Sequence, residues 1–143
     1  MNAATEEKTP EAPVPEAPVE ARNVVAIELG TTSVRMAVGQ AQPDGTFSII
    51  DTLQQAVSLG KDTFTRGYIE LSTAEECVKA LKNFRTVLQE YRITDDRQIR
   101  AVATSAVREA SNREAFLDRI FEEAERDGAI VFDREAPAGR RIG

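Results

Sequence analysis

Apolar residues gather into short runs over the first half of the chain, and polar turn residues separate these runs. The run VVAIEL, which begins at Val24, is rich in β-branched residues and has the length of a buried strand. VRMAVGQ, which begins at Val34, alternates between apolar and polar residues and predicts a second strand. The turn signal QPDG at 42–45 then predicts a hairpin to a third strand within TFSIIDTLQQAVSL.

A helical period follows the strands. The segment 60–70 contains two glycines and is predicted to be a loop. Ser72 and Glu75 have capping-box spacing and predict the start of a helix. One face of that helix is apolar and consists of Cys77, Leu81, Phe84, Leu88 and Tyr91. Since Cys77 lies on this apolar face, we expect a core residue rather than a reactive thiol.

The remaining pattern predicts α/β crossovers after the three strands. RQIRAVATSAV predicts a strand near 99–104, and ASNREAFLDRIFEEAERDG predicts a second helix. That helix has a capping-box pair at Ser111 and Glu114, and its apolar stripe is Phe116, Ile120 and Phe121. AIVF at 129–132 is a candidate last strand. The order β-β-β-α-β-α-β predicts an α/β fold, with a mixed sheet and helices packed on it.

The composition changes at residue 23. The first 22 residues are acidic, rich in proline and contain the imperfect repeat EAPVPEAPVE, which favours extended, solvated states. We therefore expect a tail at 1–22, a domain at 23–133 and an irregular end at 134–143.

Composition excludes several classes of function. The net charge of −6 argues against non-specific binding to nucleic acid, although a site for anions needs only local positive potential. A single cysteine excludes an intrachain disulfide and fits a reducing compartment. Because histidine is absent, proton transfer must use carboxylates, Lys, Tyr or water. No apolar run approaches the roughly 18 residues of a spanning helix, so we expect a cytoplasmic protein without a membrane partner.

The stretch VAIELGTTSVRM is the first candidate for chemistry. Gly30 at a strand end lets the backbone turn sharply and approach a ligand. The N–H groups from Gly30 to Ser33 can form an anion-binding concavity, and the hydroxyls of Thr31, Thr32 and Ser33 add donors. Glu28 suits a phosphate if a divalent cation or a water lies between them. The competing interpretation is an ordinary hairpin turn.

The stretch VATSAVREASN is the second candidate. Thr104 and Ser105 lie at the predicted carboxyl end of a strand, where ligands bind in open α/β sheets. Arg108 can bind two phosphate oxygens, and Ser111 and Asn112 lie at the start of the next helix. The competing interpretation is an exposed arginine and a routine helix cap.

Together the two stretches resemble a known family. VAIELGTTSVRM resembles the first phosphate loop of the sugar-kinase, actin and DnaK-type superfamily. AVATSAVREASNREAFLDRI resembles the corresponding segment of the Ppx/GppA phosphatases, which comprise exopolyphosphatases and guanosine pentaphosphate phosphohydrolases. The resemblance covers about Val24 to Phe121. It implies an actin-like, ribonuclease-H-type fold that removes terminal phosphate from inorganic polyphosphate or pppGpp, with Mg²⁺ and an activated water.

The resemblance also implies roles for individual positions. The positions that would bind phosphate are Gly30, Thr31, Thr32, Ser33, Thr104, Ser105 and Arg108. Glu28 would lie near the metal, where the family usually has Asp.

The end of the sequence departs from the family pattern. The family continues with a Gly-Glu-Glu-Glu-Ala-Arg-like stretch that supplies the base, whereas this chain reads GAIVFDREAPAGRRIG. Glu135 is a positional candidate, and the catalytic base stays unassigned. A second glycine-rich phosphate loop is also expected beyond this point. We therefore expect an incomplete domain, from truncation, a split gene or a shifted frame, that forms a homodimer or needs a partner with the missing half.

Four functional interpretations stay open. The first is a hydrolase of polyphosphate or of a guanosine nucleotide, and the second is a phosphate-binding module without catalysis. The third, from the first stretch alone, is an ATP-binding domain of the kinase or chaperone type, and the fourth is an inactive remnant.

Overall fold

The computed structural model describes residues 20–126 of the chain. The predictions made for most of the tail, for the strand AIVF, for Glu135 and for the irregular end therefore lie outside the described residues.

A four-stranded mixed sheet forms the centre of the fold. Its strands are β1 (Arg22–Leu29), β2 (Ser33–Ala41), β3 (Phe47–Ala56) and β4 (Ile99–Ala103). The order across the sheet is β3-β2-β1-β4, with antiparallel pairs along the meander and a parallel pair between β1 and β4. This confirms the four strands predicted before residue 105 and the mixed sheet.

The predicted turn joins β2 to β3. Gln42 N donates to Thr46 O at 2.8 Å, and Gly45 has the left-handed φ of 86° that glycine adopts without strain. Asp44 accepts hydrogen bonds from the backbone N–H and the hydroxyl of Thr46, and these bonds lower the pKa of its carboxyl. Local sequence therefore determines this hairpin.

Up to residue 126, four helices follow the meander: α1 (Leu59–Arg66), α2 (Leu71–Glu90), α3 (Ser105–Arg108) and α4 (Arg113–Arg126). A short 3-10 helix at Asp96–Gln98 leads into β4.

The prediction of a loop at 60–70 is wrong, because α1 occupies most of that segment. Gly60 is the second residue of α1 and gives space for a close contact described below. Gly67 ends the helix with a φ of 83°, and its N–H donates to Thr63 O at 2.8 Å. The two glycines serve the packing and the end of a short helix.

Neither capping box starts its helix. α2 begins at Leu71 after Glu70, whose side chain makes no capping bond, while Glu70 N donates to the buried Asp62 at 2.9 Å. α4 begins at Arg113, two residues after Ser111. Contacts with neighbouring elements fix both helix starts.

The core lies between one face of the sheet and α2. Alternate residues of β1 and β2 point into it, and these are Val25, Ile27, Leu29, Val34, Met36 and Val38. The predicted face of α2 is buried against them through Cys77, Leu81, Phe84 and Leu88. Tyr91, just beyond the helix, is half-buried, and its hydroxyl donates to Asp51 at 3.0 Å.

Cys77 is a core residue, as predicted. Its side chain is fully buried, and burial raises the pKa of the thiol to about 12. The predicted stripe of α4 also packs inward, since Phe116 and Ile120 are buried and Phe121 is half-buried. Among the described residues, no helix combines the length and the apolarity needed to cross a membrane.

Candidate functional site

The parallel pairing of β1 with β4 brings the two candidate stretches to the same edge of the sheet. Leu29 and Ala103 are partners in the register, so Gly30 and Thr104 are the next residues on adjacent strands. The backbone N–H of Thr104 donates to Leu29 O at 3.1 Å, and its hydroxyl donates to the same oxygen at 2.9 Å. This edge is the carboxyl edge of the parallel pair, where open α/β sheets bind ligands.

The Gly30–Ser33 turn is held by its own backbone. Gly30 N donates to Ser33 O at 2.9 Å, and a Cβ on Gly30 would lie only 2.9 Å from the same oxygen. Gly30 and Ser33 therefore have a structural role in the turn. The N–H of Gly30 already donates within the turn, and Ser33 is buried at the start of β2. Thr31 and Thr32 are exposed at its tip.

α1 and the connection that precedes it donate hydrogen bonds to this turn. Val57 N donates to Thr32 O at 3.1 Å, and Gly60 N donates to Thr31 O at 2.8 Å. A Cβ on Gly60 would lie 2.1 Å from Thr31 Cγ2, so only glycine permits this approach. The sequence analysis did not recognise Gly60 as a residue that supports the turn. The available signal was that this glycine directly follows Leu59, the apolar residue that ends the third predicted strand.

Glu28 lies on the exposed face of β1, directly opposite Arg35 in the antiparallel pair. Its Oε1 is 3.6 Å from the position of a Cβ on Gly30, so the carboxylate borders the turn. Mg²⁺ is commonly held by one or two carboxylates together with waters and substrate phosphates, and a single exposed carboxylate beside hydroxyls fits that chemistry. Within residues 20–126, no group of three or more His, Cys, Asp or Glu side chains could hold a metal.

The second stretch begins at the same edge. The carbonyl of Thr104 accepts from the N–H groups of Val107 and Arg108, at 3.0 and 3.1 Å, and opens α3. Ser105 is half-buried as the first residue of α3. The guanidinium of the exposed Arg108 folds back, and its Nη1 donates to Ala103 O at 2.9 Å. Arg108 thus lies beside the end of β4.

Hydrogen bonds also tie the second stretch to the connection between α1 and α2. Asn112 Nδ2 donates to Ile69 O at 2.8 Å, and Ile69 N donates to Asn112 Oδ1 at 2.9 Å. Ser111 N donates to Gly67 O at 2.8 Å. The sequence singled out Asn112 as a helix-start residue, but the structure uses its amide as a two-way bridge.

The donors available at this edge differ from residue to residue. Thr104 has one hydroxyl hydrogen, which Leu29 O accepts, so towards a ligand this hydroxyl can only accept. The exposed hydroxyls of Thr31 and Thr32 and the guanidinium of Arg108 are donors of the kind that phosphate oxygens bind.

Comparison with known proteins shows which family this chain resembles. A match to the Ppx/GppA phosphatase family covers residues 37–130, which is more than half of the chain and includes the second candidate stretch. The chain belongs to the Ppx/GppA phosphatase family. The match begins after the Gly30–Ser33 turn.

Solved structures of the family show the same fold. A Ppx/GppA family member from Aquifex aeolicus is 32% identical, with a TM-score of 0.66, over 78% of this chain and 34% of that chain. An exopolyphosphatase from Cytophaga hutchinsonii is 29% identical, with a TM-score of 0.64, over 72% of this chain and 32% of that one. The mixed sheet with its helices is therefore the actin-like fold of these Ppx/GppA structures, and the chain spans about a third of their length.

A curated relative places a similar sequence inside a larger protein. The bifunctional 3-dehydroquinate synthase/phosphatase of Fusobacterium nucleatum is 30% identical over 117 residues, which are 78% of this chain and 17% of that protein.

Proposed function

We propose that the chain binds the phosphate chain of inorganic polyphosphate or of pppGpp where β1 and β4 end, and takes part in hydrolysis of the terminal phosphoanhydride bond. The observation that carries the proposal is the pair of hydrogen bonds from Thr104 to Leu29 O, which fixes the two candidate stretches side by side. Family membership supports phosphatase chemistry of this kind.

The polar groups at this edge have distinct roles in the proposal. Arg108 binds two phosphate oxygens at once, and the hydroxyls of Thr31 and Thr32 donate to a neighbouring phosphate. Thr104 is a positioning residue, because its hydroxyl hydrogen holds the two strand ends together. With a chain charge of −6, binding depends on these local donors and weakens as salt screens them.

Glu28 is the residue that would hold Mg²⁺. When bound, the cation neutralises charge on phosphate oxygens and polarises the bond to be cleaved. Glu28 would fix the position of the cation beside the turn. Without a cation, its carboxylate would repel a phosphate.

Binding without turnover is the second candidate function. Glu28 is the carboxylate that the described residues place against the Gly30–Ser33 turn. Since this proposal assigns Glu28 to the cation, hydrolysis needs a further base to activate the water. A partner that completes the family core, or a second copy of the chain, would be its source.

Phosphate release tests the catalytic proposal. The chain is incubated with Mg²⁺ and either polyphosphate or pppGpp, and wild type is compared with Arg108→Gln. Glutamine can keep one of the two bonds to phosphate, and loss of the other, charge-assisted bond, worth about 1.5–3 kcal/mol, predicts a fall in kcat/KM of about 10- to 160-fold. Lys79→Gln, which removes one positive charge from an exposed position on α2, is the matched control and should leave release unchanged.

Calorimetry at low ionic strength separates binding from turnover. Tripolyphosphate binding that Arg108→Gln weakens, with no phosphate release by wild type, supports the second candidate. No heat and no release, or an equal loss in Arg108→Gln and Lys79→Gln, would refute a phosphate site at this edge. A preference between pppGpp and polyphosphate in the same assay identifies the substrate class.

A further inference from the structure

Among residues 20–126, the second face of the sheet, opposite the face that packs on α2, carries exposed side chains, and we call it the open face. Near the amino end of β1 this face is apolar, and we call this region the apolar half. The residues that form it are Val24, Ala26, Ala37, Gly39, Phe47 and Ile49. Phe47 is 57% exposed and Ile49 is 55% exposed. Towards the candidate phosphate site the same face is polar, with Glu28 opposite Arg35.

The apolar half is hollow. Small residues at Ala26, Ala37 and Gly39 form its floor, and the Phe47 ring lies so close to Gly39 that a Cβ there would be 2.2 Å from Phe47 Cζ. The cavity has a volume of about 200 Å³. A narrow segment with side chains of the size of valine or proline fits a hollow of this volume.

The rim of the hollow is basic. Arg97 and Arg100 line it, and Arg22 lies on the same side of β1 two positions before Val24. Arg97 also pairs with Asp95 at 2.6 Å, and the described residues that line the hollow itself include no carboxylate. A second copy docked through this surface would present the same described lining, which contains arginines and no carboxylate, and so offers the rim no complementary charge.

The chain's own first residues have the complementary chemistry. Residues 1–19, which lie outside the described residues, hold four glutamates and one lysine. Val14 stands between Pro13 and Pro15, which gives the segment a short apolar centre. Glu11 and Glu16 flank this centre on its two sides.

The segment is also long enough to reach the hollow. It joins β1 almost directly, and 19 residues of extended chain reach about 60 Å, at roughly 3.1 Å per residue. Val14 precedes Arg22 by eight residues, which allows the chain to reverse its direction before it lies along the sheet. A tethered segment acts at millimolar effective concentration, so weak contacts suffice for occupancy.

We propose that residues 11–16 of this N-terminal segment dock on the apolar half of the open face. Val14 and its neighbouring prolines fill the hollow, and Glu11 and Glu16 lie against the arginine rim. An extended, proline-rich segment binds with little loss of backbone freedom, because proline already fixes φ. The docked segment leaves the carboxyl edge of β1 and β4 accessible, so this proposal does not depend on the proposed function.

A spin label on the segment tests the docking in the full chain. Ala12→Cys introduces an accessible thiol that carries the label. Cys77, the one cysteine of the natural sequence, is buried, and its thiol stays protonated at neutral pH. A nitroxide at residue 12 should broaden the amide signals of Gly39 and Ile49 on the open face. The signals of Leu81 and Leu88, on the opposite side of the sheet, should keep their intensity.

Charge reversal is the matched control. Glu11→Lys combined with Glu16→Lys in the labelled chain should abolish the selective broadening, and high salt should weaken it. Equal broadening on both sides of the sheet, or broadening that survives charge reversal, would overturn the proposal. So would broadening that occurs only between labelled and unlabelled chains, which would assign the surface to a second copy. An unchanged set of amide positions shows that each variant is folded.

Discussion

Gly60 lies where α1 touches the Gly30–Ser33 turn, and replacing it by alanine tests whether this close approach exists. In Gly60→Ala the new Cβ would lie 2.1 Å from Thr31 Cγ2, about 1.5 Å short of an ordinary carbon–carbon contact. Overpacking of this kind costs about 1–3 kcal/mol, and the better helix propensity of alanine returns up to about 1 kcal/mol. We expect a net loss of about 1–2 kcal/mol in the free energy of unfolding.

A second substitution isolates the contact. Thr31→Ser removes Cγ2, and the nearest remaining atoms to the new Cβ are Thr31 O at 3.2 Å and Phe64 Cε2 at 3.3 Å. These neighbours need to yield by only a few tenths of an ångström, so Gly60→Ala should cost less than about 0.5 kcal/mol in the Thr31→Ser background. Urea unfolding followed by far-UV circular dichroism gives all four free energies of the cycle. A neutral or stabilising Gly60→Ala in the wild-type background would refute the contact and the support of the turn by α1.

Three further predictions concern the rest of the described fold. Asn112→Asp should lower the free energy of unfolding by about 1–3 kcal/mol, since an aspartate cannot donate to Ile69 O. The control Asn83→Asp, at an exposed position, should change it by less than about 0.5 kcal/mol. Equal effects of the two substitutions would contradict the bridge between Asn112 and Ile69. Tyr91→Phe should lower the free energy of unfolding, because the hydroxyl donates to Asp51, a bond that also raises the pKa of Tyr91. No change in urea unfolding would contradict that contact. The pKa of Cys77 is about 12 in the fold and lies above its value in the unfolded chain. The contribution of the thiol to the free energy of unfolding is therefore complete below about pH 8.5. Above that pH it falls, by up to about 1.4 kcal/mol per pH unit. In urea titrations, the free energy of unfolding of wild type should therefore fall relative to that of Cys77→Ala between about pH 9 and 11. A constant difference between the two proteins would contradict the raised pKa.

The sequence by itself determined the elements whose cause is local. The alternation in β2, the apolar run of β1 and the turn at 42–45 each follow from side-chain periodicity or from a glycine in a left-handed conformation, so these strands and their hairpin were predictable. The apolar face of α2 was equally readable from its 3.6-residue period. The residues of the candidate site were found because their types and spacing resemble a family motif.

Only the tertiary structure decided how these parts act on one another. Gly60 and Gly67 suggest a loop in isolation, but both belong to the packing of α1. Gly60 N donates to Thr31 O where no side chain fits, and Gly67 ends the helix. The hydroxyl of Thr104 and the carbonyl of Leu29 are 75 residues apart in the chain, and no local pattern specifies that they meet. Their contact follows from the parallel pairing of β1 with β4, because a pairing between distant strands is chosen by the packing of the whole sheet and its helices.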